Sequence, residues 1–275
     1  FAVADDDSLN LESTGTATLN ATVNRTTFTN APGDLFQASI DGSGGGDVVF
    51  TNNTLSNAST TIAPGVGGVT LEGARGGTTT FTVANNTLRD ARGMGLLVVH
   101  GQGTSRLTAT VTGNHIGAAG VANSGSREGA GLVFEHNGGG GVFAVDATGN
   151  DIRQFNAEGI SLVAGAGVAE SGQLSARLVG NVIAEPGVGA TYGLLLNSGV
   201  TTGDTFASCL DLGANSIATA RLRQRQNTTV KLVGYAGSPT DTTAVNAFVA
   251  SRLGGSPTVT SAFTSTGFTG GTSCP

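Results

Sequence analysis

A right-handed parallel β-helix of about seven coils is the fold that this 275-residue chain predicts, and three observations carry it. The first is a motif of Asn, one spacer and a branched aliphatic, written six times: Asn53-Thr54-Leu55, Asn86-Thr87-Leu88, Asn114-His115-Ile116, Asn150-Asp151-Ile152, Asn181-Val182-Ile183 and Asn215-Ser216-Ile217. Successive Asn stand 33, 28, 36, 31 and 34 residues apart, and self-similarity at periods of roughly 20–50 residues marks a repeat architecture. The second is a pair of β-rich runs flanking each motif. The third is composition: 45 Gly, 5% aromatics, 12% charged residues and no Trp. Such a chain has too few large side chains for a thick globular core, yet ample turn formers and β-branched residues for thin strands.

Each period begins with a strand of alternating apolar and small polar residues, the pattern of a half-buried strand. These are 47–51, 79–83, 107–111, 142–145 and 174–179. The Asn turn follows, then a short aliphatic strand, then a Gly that opens another strand at 68–71, 95–98, 131–134, 159–162 and 193–196, with 35–40 in the first copy. A weaker seventh copy of the motif lies at 23–28, with Asn24 standing 29 residues before Asn53. The repeated Asn is expected to take the left-handed backbone conformation of a sharp turn. Its side chain is expected to form a ladder through the coils, Asn53, Asn86, Asn114, Asn150, Asn181 and Asn215 in turn. Leu55, Leu88, Ile116, Ile152, Ile183 and Ile217 then stack inside. Leucine-rich repeats keep a tighter period with several fixed Leu, and propeller blades need four antiparallel strands, so neither fits. Seven coils at ~4.8 Å give a rod of about 34 Å.

The β-helix is assigned to residues 1–234 and a cap to 235–275. In the cap, Thr240 or Asp241 supplies an N-cap and Gly254 a stop for one amphipathic helix, in which Ala244, Val245, Phe248, Val249 and Leu253 recur at helical spacing. A solenoid must cover its terminal hydrophobic face, which gives this helix its expected role. The stretch from Phe1 to Gly15 carries no such helix, so another protein surface, upstream coils or a neighbouring subunit, is expected to cover that end.

The net charge of −6 excludes a nucleic-acid or anionic-membrane partner in the usual sense, since both want a basic stripe. Arg221, Arg223 and Arg225 form the one basic cluster and read as a solvated strand face. No apolar run reaches the ~18 residues of a membrane helix. The N-terminal stretch lacks the basic segment of a signal peptide, as expected of a processed chain or a piece of a longer one. The two cysteines, Cys209 and Cys274, have no metal-like spacing and are expected to form one disulfide, hence an oxidising, extracellular or cell-surface setting.

These repeats resemble bacterial right-handed β-helix repeat proteins, large secreted or surface-anchored chains in which Asn-x-(Ile/Leu) and Gly-aliphatic strand motifs recur over many coils. The likeness covers roughly residues 16–234. The tail motifs at 221–225, 233–237, 241–245 and 267–271 are similar to the ending of such surface chains. The uncovered N-terminal end favours a non-catalytic structural or adhesive role for such a chain, with self-association or a longer multi-domain chain and a possible surface glycan as expected partners. The resemblance names no activity, because the same scaffold serves adhesins, polysaccharide lyases, glycoside hydrolases and ice binders.

An enzyme on this scaffold needs carboxylates converging on one face beside a basic residue. The candidates are Glu128 beside Arg127, Glu135 beside His136, Asp151 beside Arg153, and Glu158, expected to share the face of Glu128 and Glu135 one coil on. Scarce Tyr and absent Trp leave few stacking platforms for sugars, so the chain is read as non-catalytic. His100, His115 and His136 show no metal spacing and no cofactor is expected; Ca²⁺ is the one ion that Asp5-Asp6-Asp7 or the loop from Asp41 to Asp47 offers oxygens to. Thr runs at 16–18, 78–80 and 108–110 raise an ice-binding alternative, which needs a regular array on coils of constant length.

Overall fold

The computed structural model describes residues 6–59, 61–62, 64–165, 167 and 169–275. The chain winds through three parallel sheets of nine, nine and seven strands, and within each sheet every strand but the two outermost pairs with strands of the coils before and after it. This is the parallel β-helix that the repeats predict, and a right-handed sense is the one that parallel crossovers between twisted strands adopt. The first coil runs Asn10–Gly15, Leu19–Asn24 and Thr27–Thr29, and six further coils repeat that order. Every strand expected on either side of the Asn motifs is present.

Two layers extend the stack beyond the expected seven. The eighth coil has Thr219–Gln224 and Thr229–Val233, then the helix Thr242–Leu253 instead of a third-sheet strand. The ninth has Thr258–Phe263 and Phe268–Gly271, which pair in parallel with the two strands of the eighth. The tail, expected only as a cap, therefore also lengthens both large sheets, because residues 258–271 keep the alternation that lets them add to an open edge. Asp241 is the N-cap, accepting the Ala244 N–H, and Gly254 ends the helix at φ 72°. Val245, Val249 and Leu253 are fully buried against the core. Cys209 and Cys274 form the expected disulfide with a Cα–Cα distance of 5.6 Å, closing a loop whose restriction in the unfolded chain is worth about 4 kcal/mol in the entropic account.

The Asn ladder is continuous. The Oδ1 atoms of Asn53, Asn86, Asn114, Asn150, Asn181 and Asn215 accept the N–H of Thr26, Asn53, Asn86, Asn114, Asn150 and Asn181 in turn, at 2.9–3.1 Å. Each Nδ2 donates to the carbonyl three residues earlier in the preceding coil, from Val23 to Leu178, at 2.7–3.1 Å. Each Asn thus reaches back one coil and satisfies a donor and an acceptor of its neighbour's turn. All six are buried. The helix ends the series, since the Asn215 N–H meets the Arg252 carbonyl at 3.4 Å.

Two expectations about the turn are corrected. The left-handed residue is the one before the ladder Asn: Arg25, Asn52, Asn85, Gly113, Gly149, Gly180 and Ala214 have φ of 51–67°. The Asn itself is selected for its amide. In the first coil the ladder position is Thr26; Asn24 pairs with Thr51 two residues earlier, is exposed, and accepts from Asn52 Nδ2.

The aliphatic after each ladder Asn points inward, with Leu55, Leu88, Ile116, Ile152, Ile183 and Ile217 at 0–5% exposure and Phe28 in the first coil. This shaft explains the Gly that opens each first-sheet strand. A Cβ at Gly95, Gly131, Gly159 or Gly193 would press on the Cγ2 of Ile116, Ile152, Ile183 or Ile217 respectively. Interior polar groups line one further column, where His100, His136, Ala164, Ser198 and Gln224 stand in register. The two histidine rings are 4.2 Å apart and fully buried. His136 Nε2 bonds the Gly141 carbonyl and its Nδ1 accepts from Gly138 N, while His100 Nε2 lies 2.9 Å from Ser105 Oγ. Burial, then the neighbouring His100, depresses His136 from 6.5 to about 4, and burial depresses His100 as well.

Three outcomes test this account. Asn114→Ala orphans a buried donor and a buried acceptor and should cost about 3 kcal/mol in denaturant unfolding, against under about 0.5 for exposed Asn24→Ala. Gly159→Ala should cost about 1–3 kcal/mol through overpacking, with part recovered by adding Ile183→Leu, which lacks the Cγ2 methyl. The imidazole of His136 binds protons more weakly folded than unfolded. Its contribution is therefore intact above about pH 6.5 and declines as pH falls toward 4, by up to about 3 kcal/mol. Unfolding curves of the protein and of His136→Gln should diverge across that window, with the native protein the more acid-sensitive.

Candidate functional site

Side-chain alternation decides where each candidate residue lands. Glu135 and His136 are adjacent in the first-sheet strand Leu132–His136, so Glu135 points outward, half-buried, while His136 lies in the interior. They cannot act together on one ligand. Glu128 sits in the preceding loop, exposed and paired with Arg92 at 2.9 Å, and Arg127 reaches the Asn57 and Ser59 carbonyls. Asp151 is on the third sheet, held by Arg153, which also binds Glu185. Glu158 opens the first-sheet strand of the sixth coil and accepts from Thr191 Oγ1 at 2.9 Å. Of the five, only Glu135 and Glu158 share the outer face of the first sheet. Burial raises the Glu135 carboxyl above its ordinary range, but nothing basic accompanies it there.

A cleft that the sequence reading missed lies on the same outer face, nearer the N-terminal end. Ser39, Asp41, Glu72, Ala74, Arg75 and Gln102 line a space of about 360 Å³. Arg75 Nε holds Asp41 at 2.5 Å. Burial, then the Asp41 charge, raises Glu72. The signal was present in the sequence as parity alone: Ser39 pairs with Glu72, and Asp41 follows Ser39 by two. Without knowing which parity faced out, neither carboxylate stood apart from a solvated turn.

Among the described residues the acidic loops do not bring their oxygens together. Asp41 is neutralised by Arg75, while Asp47 lies on the second sheet. Asp7 accepts from Asp34 N at 2.6 Å, and Asp5 falls outside the described residues. Among the described residues no three His, Cys, Asp or Glu side chains converge on a metal position. The Thr array is two coils deep: Thr80 and Thr82 pair with Thr108 and Thr110, after which Ala144 and Asp146 interrupt it.

Farther along, the outer face of the first sheet turns apolar, with Leu97, Val99, Val133, Val163 and Leu195 outward over the fourth to seventh coils. It ends in base. In the eighth coil Leu222 and Gln224 point in, so Arg221 and Arg223 point out, followed by Arg225. Arg221 bonds Tyr192 Oη at 2.7 Å and lies 5.6 Å over its ring. One face thus runs from a carboxylate cleft through an apolar middle to an arginine strip.

Comparison with protein-family models, curated proteins and solved structures finds no match to this chain. Its chemistry is therefore read from its own surfaces. The disulfide indicates an oxidising, non-cytoplasmic environment, and among the described residues no helix is long and apolar enough to cross a membrane.

Proposed function

We propose that this chain is a non-catalytic structural unit of an extracellular surface assembly, stacking end to end with further copies of itself. The observation that carries the reading is a pair of open, oppositely charged ends. At one end, the outer edges of Asn10–Gly15 and Leu19–Asn24 have no partner strand among the described residues, and Leu9, Leu11, Leu19 and Val23 are only partly buried against the core. At the other, Thr258–Phe263 and Phe268–Gly271 are the last strands of the same two sheets, with Val259 and Phe263 partly buried. An unpaired parallel edge is a template for another chain.

Charge favours the same pairing. Residues 1–47 contain seven acidic side chains and one basic one, whereas residues 212–275 contain five basic and one acidic. Opposite potentials at the two ends steer head-to-tail encounter and disfavour head-to-head contact. A contact of that type is heterologous and propagates along the rod axis rather than closing. The likeness to bacterial surface β-helix repeats and the disulfide both support a place outside the cytoplasm.

A second reading, a polysaccharide lyase or glycoside hydrolase, draws on the Asp41–Glu72 cleft with its raised Glu72 carboxyl. Incubation with polyuronates and neutral glycans, followed for new unsaturated or reducing ends, separates the two readings.

Electron microscopy and light scattering test the assembly. Rods should lengthen with protein concentration at low ionic strength, with an axial repeat of about 43 Å for nine layers, and shorten above about 0.5 M salt as screening removes the end-to-end attraction. A single monomeric species at every concentration and ionic strength would refute it.

A further inference from the structure

We propose that the basic end of the first sheet's outer face is a binding site for an acidic polysaccharide, whose carboxylate or sulfate groups are held by Arg221, Arg223 and Arg225. The surface is lateral to the rod, separate from the open ends, and the inference stands independently of end-to-end stacking.

The strip is built by alternation. Arg221 and Arg223 point outward from one strand and lie ~6.6 Å apart, and Arg225 follows just past the strand's end, a spacing suited to a polymer with repeated charges rather than to one small anion. Among the described residues none of the three forms an ion pair with a carboxylate, in contrast to Arg75, Arg92, Arg153 and Arg177 elsewhere on the surface. The nearby acidic group on this face, Glu158, accepts from Thr191 instead. Three adjacent cations thus lack an ion-pair partner in a chain of net charge −6, and the attraction of Glu158 for Arg223 is weaker than the repulsion from either neighbouring arginine. The consequence is visible at the central one. Burial, then repulsion from Arg221 and Arg225, lowers the proton affinity of the Arg223 guanidinium. A second observation is independent of charge. Arg223 Nε and Asn197 Oδ1, neighbours in register, are both buried with no hydrogen-bond partner. The polar network here is incomplete in the isolated protein.

The surroundings narrow the ligand class. Thr219, two residues before Arg221 on the same strand, helps line an apolar pocket with Phe155, Pro186, Ala190 and Tyr192. Tyr192 joins the two features, since its ring forms part of the pocket and carries the Arg221 guanidinium. A ligand that fits both offers apolar ring faces beside regularly spaced anionic groups, as a uronate- or sulfate-bearing glycan does. Guanidinium forks match carboxylate and sulfate oxygens in pairs. Single-stranded nucleic acid fits less well, because it wants several aromatic platforms within a broad basic groove, and here one Tyr stands in an acidic protein.

Binding to immobilised polygalacturonate and to dextran sulfate tests the proposal and separates the two anion types, with neutral dextran and an oligothymidylate as comparison polymers. Saturable binding to one or both acidic glycans is expected, with a slope of log affinity against log salt near about −2 for three contacts. Arg223→Ala should weaken binding about tenfold or more, and Arg223→Lys should lie between, keeping charge but losing the fork. Replacing all three arginines by Ala should abolish both binding and its salt dependence without shifting the thermal midpoint. Should the triple variant fold poorly, Arg225→Ala alone gives the same reading at smaller amplitude. Arg177→Ala, on the second sheet, should change nothing. The proposal is overturned by absence of binding to both acidic glycans, by equal binding of neutral dextran, by tighter binding of the oligothymidylate, or by affinity indifferent to Arg223 and Arg225.

Discussion

Main-chain groups at the turn between the second and third sheets are buried inside the stack, and meeting their hydrogen bonds is the constraint on which everything else rests. A buried N–H or C=O left unpaired costs about 1–3 kcal/mol, and each coil has one of each to satisfy there. An Asn side chain from the next coil supplies an acceptor and a donor in a single uncharged planar group. Since the supply always comes from the neighbour, as from Asn114 to the Asn86 N–H and the Val83 carbonyl, adjacent coils are locked in register. Register then determines the rest: which methyl groups meet in the shaft, why Gly must open the first-sheet strands, and which residues face out in columns.

The outward columns are free of that duty, and on the first sheet they have become chemically graded. Glu72 and Asp41 stand at one end, a run of Val and Leu in the middle, and Arg221 and Arg223 at the other. Grading of this kind arises from single residues two positions apart on strands whose inward neighbours are fixed by packing. It belongs to a scaffold in which loops and outer faces vary while the turn and the shaft do not.

Much of the scaffold was legible because its determinants are local and repeated. The Asn-x-aliphatic motif, the Gly before Leu96 or Leu132, the Asp241 cap and the Cys209–Cys274 pair each carry their own physical reason within a few residues. Where the reading erred, the deciding contact was not local. Thr26 holds the first rung because Asn53 reaches it from the next coil, whereas Asn24 merely resembles the motif. Residues 258–271 became strands because two open edges were waiting for them. The candidate site was less legible still. Adjacent residues such as Glu135 and His136 looked like partners in sequence and lie on opposite sides of a sheet, while Asp41 and Glu72 are 31 positions apart and line one cleft. The arginine strip was seen, but its lack of ion-pair partners is a fact about neighbouring strands and not about the strip.

The ladder's one-coil reach also bears on how such a molecule changes size. Each winding receives the same bonds from its successor, and the last receives its acceptor from an ordinary helix carbonyl, Arg252. Duplication or excision of a complete winding therefore leaves every remaining rung of the Asn ladder chemically as it was, provided the cut falls in the variable loops. Length becomes a discrete, inheritable variable in this architecture, adjustable in increments of ~4.8 Å without redesign of the ladder.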